Sequence, residues 1–259
     1  MPLRVMSIFG TRPEAIKMAP VLKALEADPD CHPIHVATGQ HREMLDQVLE
    51  LFQIQTHADL QIMQANQTLY GITQRALGGL ETVLQEHKPD LVLVQGDTTT
   101  AFVSGLAAFY AKIPVGHIEA GLRTGDIYDP FPEEMNRRLL SQVTSIHFPP
   151  TESSKDNLIR EGLSAENIWV TGNTVTDALL GIAAGLPEGL PDDLPQIGPG
   201  KTMILVETHR RENLGQPMQE ICMALRTLVK HFTNCEIIFS VHKNPKVREV
   251  VFPALQGVE

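Results

Sequence analysis

Charged residues of a few chemical types gather where apolar runs of this chain end. The stretch "SIFGTRPEAIK" carries Arg12 and Lys17, "VLVQGDTTT" carries Asp97, and "VGHIEAGLR" carries Glu119 and Arg123. Further on, "PFPEEMNRR" carries Glu133, and "ILVETHRREN" carries His209 and Arg210. Carboxylates and histidine move protons, while guanidinium and ammonium groups bind phosphates and meet charge on a departing anion. These types together collect both signs of charge, with local positive charge that could hold an anionic ligand. The stretch 116–140 is densest, with Glu119, Arg123, Asp126, Asp129, Glu133, Glu134, Arg137 and Arg138.

Each residue also has a plainer reading. Asp97 before three threonines fits a helix N-cap. Glu133, Glu134, Arg137 and Arg138 sit at the i, i+3 and i+4 spacing of a solvated helix face. His209 and the in-strand His117 fit structural, hydrogen-bonded histidines, and Lys17 fits a surface position. Glu119 resists this treatment, because a carboxylate closing an apolar strand needs a partner or a raised pKa. The joint placement at strand ends favours function over coincidence.

The elements that must position these groups follow from periodicity. Stretches 3–9, 32–38, 90–96, 113–119, 145–150 and 167–172 read as strands, rich in Val, Ile and Leu without alternation, which suits a parallel sheet covered on both faces. Between them, 13–27, 41–52, 69–87, 98–111, 132–143 and 151–161 carry helical spacing, with Pro13 and Pro132 at tolerated first-turn positions. This alternation predicts a doubly wound α/β domain over 1–186. A Pro- and Gly-rich linker follows at 187–200, and the rhythm restarts over 201–259 with strands at 202–207 and 236–241 and helices at 218–231 and 246–255. Two strands are fewer than the βαβαβ half of such a fold, so the second domain is expected to be incomplete in this chain. Ligands of open α/β sheets bind beyond the carboxyl ends of the strands, which is where the candidate residues fall, along with His242 and Lys243 after the last strand.

Composition bounds the partners. With 42% hydrophobic and 20% charged residues the chain is globular, and its formal net charge of −10 argues against general nucleic-acid or anionic-membrane binding. No apolar run reaches membrane-spanning length, and the N-terminus lacks the form of a signal peptide, so a cytoplasmic protein is expected. Three scattered cysteines suggest neither disulfides nor a zinc site. The Walker-like "PQIGPGKT" has Pro195 where the first glycine belongs and precedes a strand instead of following one, while no G-x-G-x-x-G follows any strand. No metal or dinucleotide cofactor is therefore expected.

At this point the motifs are recognisable. "FGTRPEAIKMAP", "GQHREMLDQVL", "VQGDTTTAF", "GHIEAGLRTGD", "PFPEEMNRR", "TGNTVTDAL", "HRREN" and "VHKNPKVRE" closely resemble the bacterial non-hydrolysing UDP-N-acetylglucosamine 2-epimerases, from residue 3 to about residue 250. The resemblance implies two Rossmann-like domains of the GT-B kind, a homodimer, and interconversion of UDP-GlcNAc and UDP-ManNAc without a cofactor, supplying ManNAc for surface polysaccharide. It implies removal of the C2 proton as UDP leaves C1, then re-addition of UDP with C2 inverted. Matched motif to motif, it implies catalytic roles for Asp97, Glu119, Glu133, His209 and Lys17, and substrate binding by Arg12, Arg123 and Arg210. Gln40 and His41 match an allosteric site for a second UDP-GlcNAc, where Asn66 replaces an arginine of some relatives. Glu207 and Thr208 depart from the family before His209. The family's later "DSGG", "QEEAP" and "TTERPE" motifs are absent, so the chain is expected to be truncated and inactive alone. A GT-B glycosyltransferase, a hydrolysing epimerase and a non-catalytic binding fragment are the alternatives.

Overall fold

The run "LRVMSIF" is apolar at nearly every position, and in the computed structural model it is a central strand, β1 (Leu3–Phe9). The structure describes residues 1–39, 42–65, 67–186, 194–208 and 213–258, with the backbone alone for 42–44. Two compact units are present, Met1–Leu186 and Pro187–Glu259.

In the first unit β1 is followed by α1 (Arg12–Ala27), β2 (Cys31–Ala37), α2 (Arg42–Phe52), β3 (Ala58–Asp59) and α3 (Leu69–His87). Then come β4 (Leu91–Gln95), α4 (Thr99–Tyr110), β5 (Val115–Ile118), α5 (Glu133–Val143), β6 (Ile146–Phe148), α6 (Glu152–Arg160) and α7 (Thr174–Ala183). The strands form one parallel sheet in the order β3-β2-β1-β4-β5-β6. Strand pleating sends alternate β1 residues to opposite faces. Met6 and Ile8 join an apolar cluster with Ile72 and Leu80 of α3 and Ala101 of α4. Val5 and Phe9 join a second cluster with Met18 and Leu22 of α1 and Ala178 of α7. Two covered faces explain why the strands read as continuous apolar runs.

Strand order reverses between β1 and β4, the switch point at which doubly wound sheets open a crevice at their carboxyl edge. Gly10 closes β1 there, and a Cβ at that position would run into the hydroxyls of Thr38 and Thr100. Those two hydroxyls bond one another at 3.1 Å, which seals the base of the crevice.

The second unit holds β7 (Thr202–Val206), α8 (Gln216–His231), β8 (Cys235–Phe239) and α9 (Pro245–Leu255), with β7 and β8 parallel. Met218, Cys222, Val247 and Val251 form its small core. His242 Nδ1 accepts the N–H of Asn244 just ahead of α9.

The expected elements occur within a few residues of their expected bounds, with three differences. The strand expected at 167–172 is absent: a 3-10 turn (Ala165–Asn167) leads into one isolated bridge, His147 to Ile168. Trp169 and Thr171 still donate to His147 O and Pro149 O at 2.9 and 3.1 Å, but Pro149 and Pro150 have no N–H to extend the ladder. The two-residue β3 is too short to stand out in a sequence. The unanticipated α7 opens with β-branched Thr174, Val175 and Thr176, which weakens its helical signal. Among the described residues no helix is long and apolar enough to cross a membrane.

Candidate active site

The β1–α1 turn is tied to its neighbour by a buried carboxylate. Glu14 Oε2 accepts the N–H groups of Gly10 and Thr11 at 3.0 and 2.8 Å, and Oε1 accepts the Thr98 hydroxyl at 2.6 Å. Thr98 Oγ1 in turn accepts the N–H of Ala101 at 3.0 Å and so caps α4. One side chain therefore joins both loops at the switch point. Burial pushes the Glu14 carboxyl above the ordinary glutamate range, against the hydrogen bonds from Thr98, Thr11 and Gly10 that favour its charged form.

Asp97 leaves β4 through Gly96, whose φ of 72° lies in the left-handed region. Its Oδ2 lies 2.5 Å from Arg137 Nη2, and Asn136 Nδ2 donates to its carbonyl at 2.9 Å, so α5 fixes both ends of the residue. Arg137 also meets Glu134 Oε2 at 3.3 Å, and Arg138 Nε donates to Glu134 Oε1 at 2.9 Å. Glu134 is fully buried and further accepts the N–H of Thr124 at 3.1 Å. Desolvation opposes its ionisation, but Thr124, Arg138 and Arg137 outweigh it and hold the carboxyl below its ordinary value. Carboxylate and guanidinium thus alternate from Asp97 to Arg138.

Glu119 closes β5, the neighbour of β4, with a φ of 64°, unusual for a residue with a Cβ and a form of strain that concentrates at functional sites. Its own N–H reaches Phe148 O at 3.0 Å, which holds this backbone in place. Lys17 Nζ stands 2.5 Å from Oε2, Gln95 Nε2 donates to the same oxygen, and Asn173 Nδ2 donates to Oε1 at 2.9 Å. Only 10% of the Glu119 side chain is exposed. Behind it, His117 is buried and its Nε2–H donates to Gly96 O at 2.7 Å. Desolvation, with smaller contributions from His147, Arg123 and Arg137, lowers the His117 pKa to about 3 despite that bond. Burial, with Arg123 nearby, lowers His147 to about 4.

The structure gives three of the expected residues one rim. Lys17 and Glu119 meet directly, and Asp97 leaves the adjacent strand, Gly96 N–H bonding Ile118 O at 3.0 Å. Glu133 is half-buried at the first position of α5 and lines a recess of about 260 Å³ with Thr11, Pro13, Leu69, Thr98, Thr99 and Pro132. Arg12 is exposed at the first position of α1, where free helix N–H groups also favour anions. Among the described residues neither Glu133 nor Arg12 has an ion pair or hydrogen bond through its side chain, which leaves both available to a ligand. Arg123 is engaged elsewhere: Nε and Nη2 grip Glu161 at 2.7 Å each, Nη2 also reaches Ser141 Oγ at 3.0 Å, and Nη1 meets Leu122 O at 2.8 Å. His209, Arg210, Gln40, His41 and Asn66 lie outside the described residues.

Sequence reasoning missed Gln95, Asn173, Asn136 and Glu14. Gln95 had a readable signal, a polar side chain ending an otherwise apolar strand. Asn173 had another, an N-cap residue ahead of Asp177 in a first helical turn. Glu14 stands three residues after Thr11, the spacing of a capping box.

A doubly wound parallel sheet with carboxylates held by cations at its carboxyl rim defines an α/β protein with a candidate ligand site at the switch point. The family profile described as UDP-N-acetylglucosamine 2-epimerase matches residues 23–259. The UDP-N-acetylglucosamine 2-epimerase of Escherichia coli (strain K12) is 52% identical over 255 residues, 96% of this chain and 68% of that protein. The crystal structure of UDP-GlcNAc 2-epimerase from Neisseria meningitidis bound to UDP-GlcNAc superposes with a TM-score of 0.85 at 45% identity, covering 99% of this chain and 71% of that one. The S. aureus MnaA–UDP co-structure gives 0.81 at 46% identity, over 98% and 67%. This chain belongs to the UDP-N-acetylglucosamine 2-epimerase family. Its fold class is theirs, α/β with Rossmann-like units of the GT-B kind.

Proposed function

We propose that this protein interconverts UDP-N-acetylglucosamine and UDP-N-acetylmannosamine by elimination and re-addition of UDP. A carboxylate takes the C2 proton while the C1–O bond to UDP breaks, and the electron pair becomes a C1=C2 double bond. The site then holds 2-acetamidoglucal and UDP. Return of a proton to the other face of C2, with attack of UDP at C1, gives the epimer. Nothing is oxidised or reduced.

The C2–H bond beside an acetamido group is a weak acid, so the base must be placed rather than merely present. Asp97, Glu119 and Glu133 carry the proton transfers in this reading, with Lys17 positioning Glu119. Arg12 and His209 meet the charge that builds on the β-phosphate, and Arg210 belongs to the substrate-binding side, whereas Arg123 is held by Glu161 and supports the site from its own packing. Gln40 and His41 belong to a second, activating UDP-GlcNAc site. The reading carries with it a homodimeric, cytoplasmic enzyme that supplies ManNAc for surface polysaccharide.

The single observation that carries it is the triple-anchored Glu119 carboxylate, beside an Asp97 clamped by Arg137 on the adjacent strand. Chromatography of UDP-GlcNAc incubated with the full-length protein tests it. A mixture of the two nucleotide sugars without free ManNAc is expected. Release of free ManNAc with UDP, or no change in the sugar, overturns it.

A further inference from the structure

The motif "TGNTVTDAL" has no part in the mechanism above, yet Asn173 within it touches Glu119. Asn173 is the N-cap of α7, where Oδ1 accepts the Val175 N–H at 3.1 Å. Its amide leaves no freedom of orientation, because a backbone N–H needs the oxygen and a carboxylate needs the NH₂. Capping alone does not call for asparagine, since serine and aspartate cap equally well. Asparagine is the capping residue that also carries a donor long enough to reach Glu119, 54 positions away in sequence.

The donors around Glu119 are unequally shared. Lys17 and Gln95 both serve Oε2, whereas Asn173 is the donor to Oε1. Bonds to one oxygen fix that atom and leave the carboxyl plane loose, because the last torsion of a glutamate is broad. Proton abstraction depends on where the lone pairs point, so the plane matters. The anchor is itself held: α7 sets Ala178 and Ile182 into the apolar cluster of Met18 and Leu22 on α1, the helix that carries Lys17.

We infer that Asn173 is a positioning residue for the epimerisation, which sets the plane of the Glu119 carboxylate and keeps it on Lys17 through a bond from the cap of α7. This inference rests on the proposed role of Glu119.

Asn173→Ser separates the two tasks of the side chain, since serine retains the cap but is too short to reach Glu119. Asn173→Ala removes both. Melting temperature, kcat and KM are measured for the three proteins, together with the rate at which Lys17 is acetylated by acetic anhydride, read by mass spectrometry. The expected result for Asn173→Ser is an unchanged melting temperature, kcat down about tenfold or more with KM within about twofold, and Lys17 labelled several-fold faster. Asn173→Ala should add a fall in melting temperature. Wild-type kcat and wild-type Lys17 labelling in Asn173→Ser would reduce Asn173 to a cap and overturn the inference. Should the unsubstituted protein not epimerise, the proposed function fails, and the Lys17 labelling rate alone still decides: unchanged labelling overturns the positioning role, faster labelling upholds it.

Discussion

Lys17 Nζ and Glu119 Oε2 stand 2.5 Å apart, joining the second turn of α1 to the end of β5 across 102 residues of sequence. The Lys17 side chain is 25% exposed and that of Glu119 10%, so the pair is largely withdrawn from water. Removing one partner leaves the other charge desolvated and its hydrogen bond unmade. Lys17→Met should cost about 1.5–3 kcal/mol of stability and lower kcat about a hundredfold or more. Glu119→Gln should lower kcat comparably, and the double variant should be little worse than either. Turnover losses that multiply across the double-mutant cycle would show two residues acting independently.

Glu14 holds two loops through three donors. In Glu14→Met the N–H groups of Gly10 and Thr11 and the hydroxyl of Thr98 all lose their acceptor. Buried donors left unpaired cost about 1–3 kcal/mol. Chemical denaturation should show an unfolding free energy lower by that amount, and so a lower midpoint, with an unchanged m-value. Wild-type stability in this variant would mean that the loops are held by other contacts.

Arg123 tests substrate binding against architecture. Its guanidinium spans Glu161 on the edge of α6 and Ser141 in α5, and its side chain is 7% exposed. Lysine keeps the charge but cannot reproduce the planar fork. Arg123→Lys should therefore lower the melting temperature, with KM for UDP-GlcNAc changed less than about twofold. A large rise in KM at unchanged stability would return Arg123 to the substrate.

The neutral histidines of the sheet predict an acid limit to stability. His117 falls from 6.5 to about 3 on folding and His147 to about 4. Below pH 6.5 the unfolded chain binds protons that the folded chain refuses, so stability drops as pH falls, and for His117 this continues until about pH 3. Each such group contributes about 1.4 kcal/mol per pH unit. Urea unfolding of His117→Gln beside the parent, where other titrating groups cancel, should show a shallower decline by that slope between about pH 6 and 4. Parallel curves would mean that His117 titrates normally in the folded protein.

Most of the first unit was legible because both faces of its sheet are covered and its helices begin at marked residues. Thr98 and Thr151 each accept an N–H at a helix start, and both stood at expected starts. The line of residues at strand ends was legible for the same reason: once β4 and β5 are found, Asp97 and Glu119 must leave the same edge. What lay beyond reach was pairing. Nothing in "EEMNRR" says that Glu134 rather than Glu133 is buried, because that depends on which way α5 turns toward Thr124 and Arg138. Likewise the bond from Asn173 to Glu119 requires knowing that α7 packs on α1, and α7 itself was hidden by its β-branched first turn.

The claim at the centre of this account is that a protein group takes the C2 proton and returns one to the opposite face. Proton NMR of UDP-GlcNAc turned over in heavy water reads this directly, because a proton held by Glu119, Asp97 or Glu133 exchanges with solvent before it returns. The expected spectrum shows the UDP-ManNAc formed with deuterium at C2 and the C1 coupling to that position lost. Epimerised product that fully retains its C2–H would contradict the account.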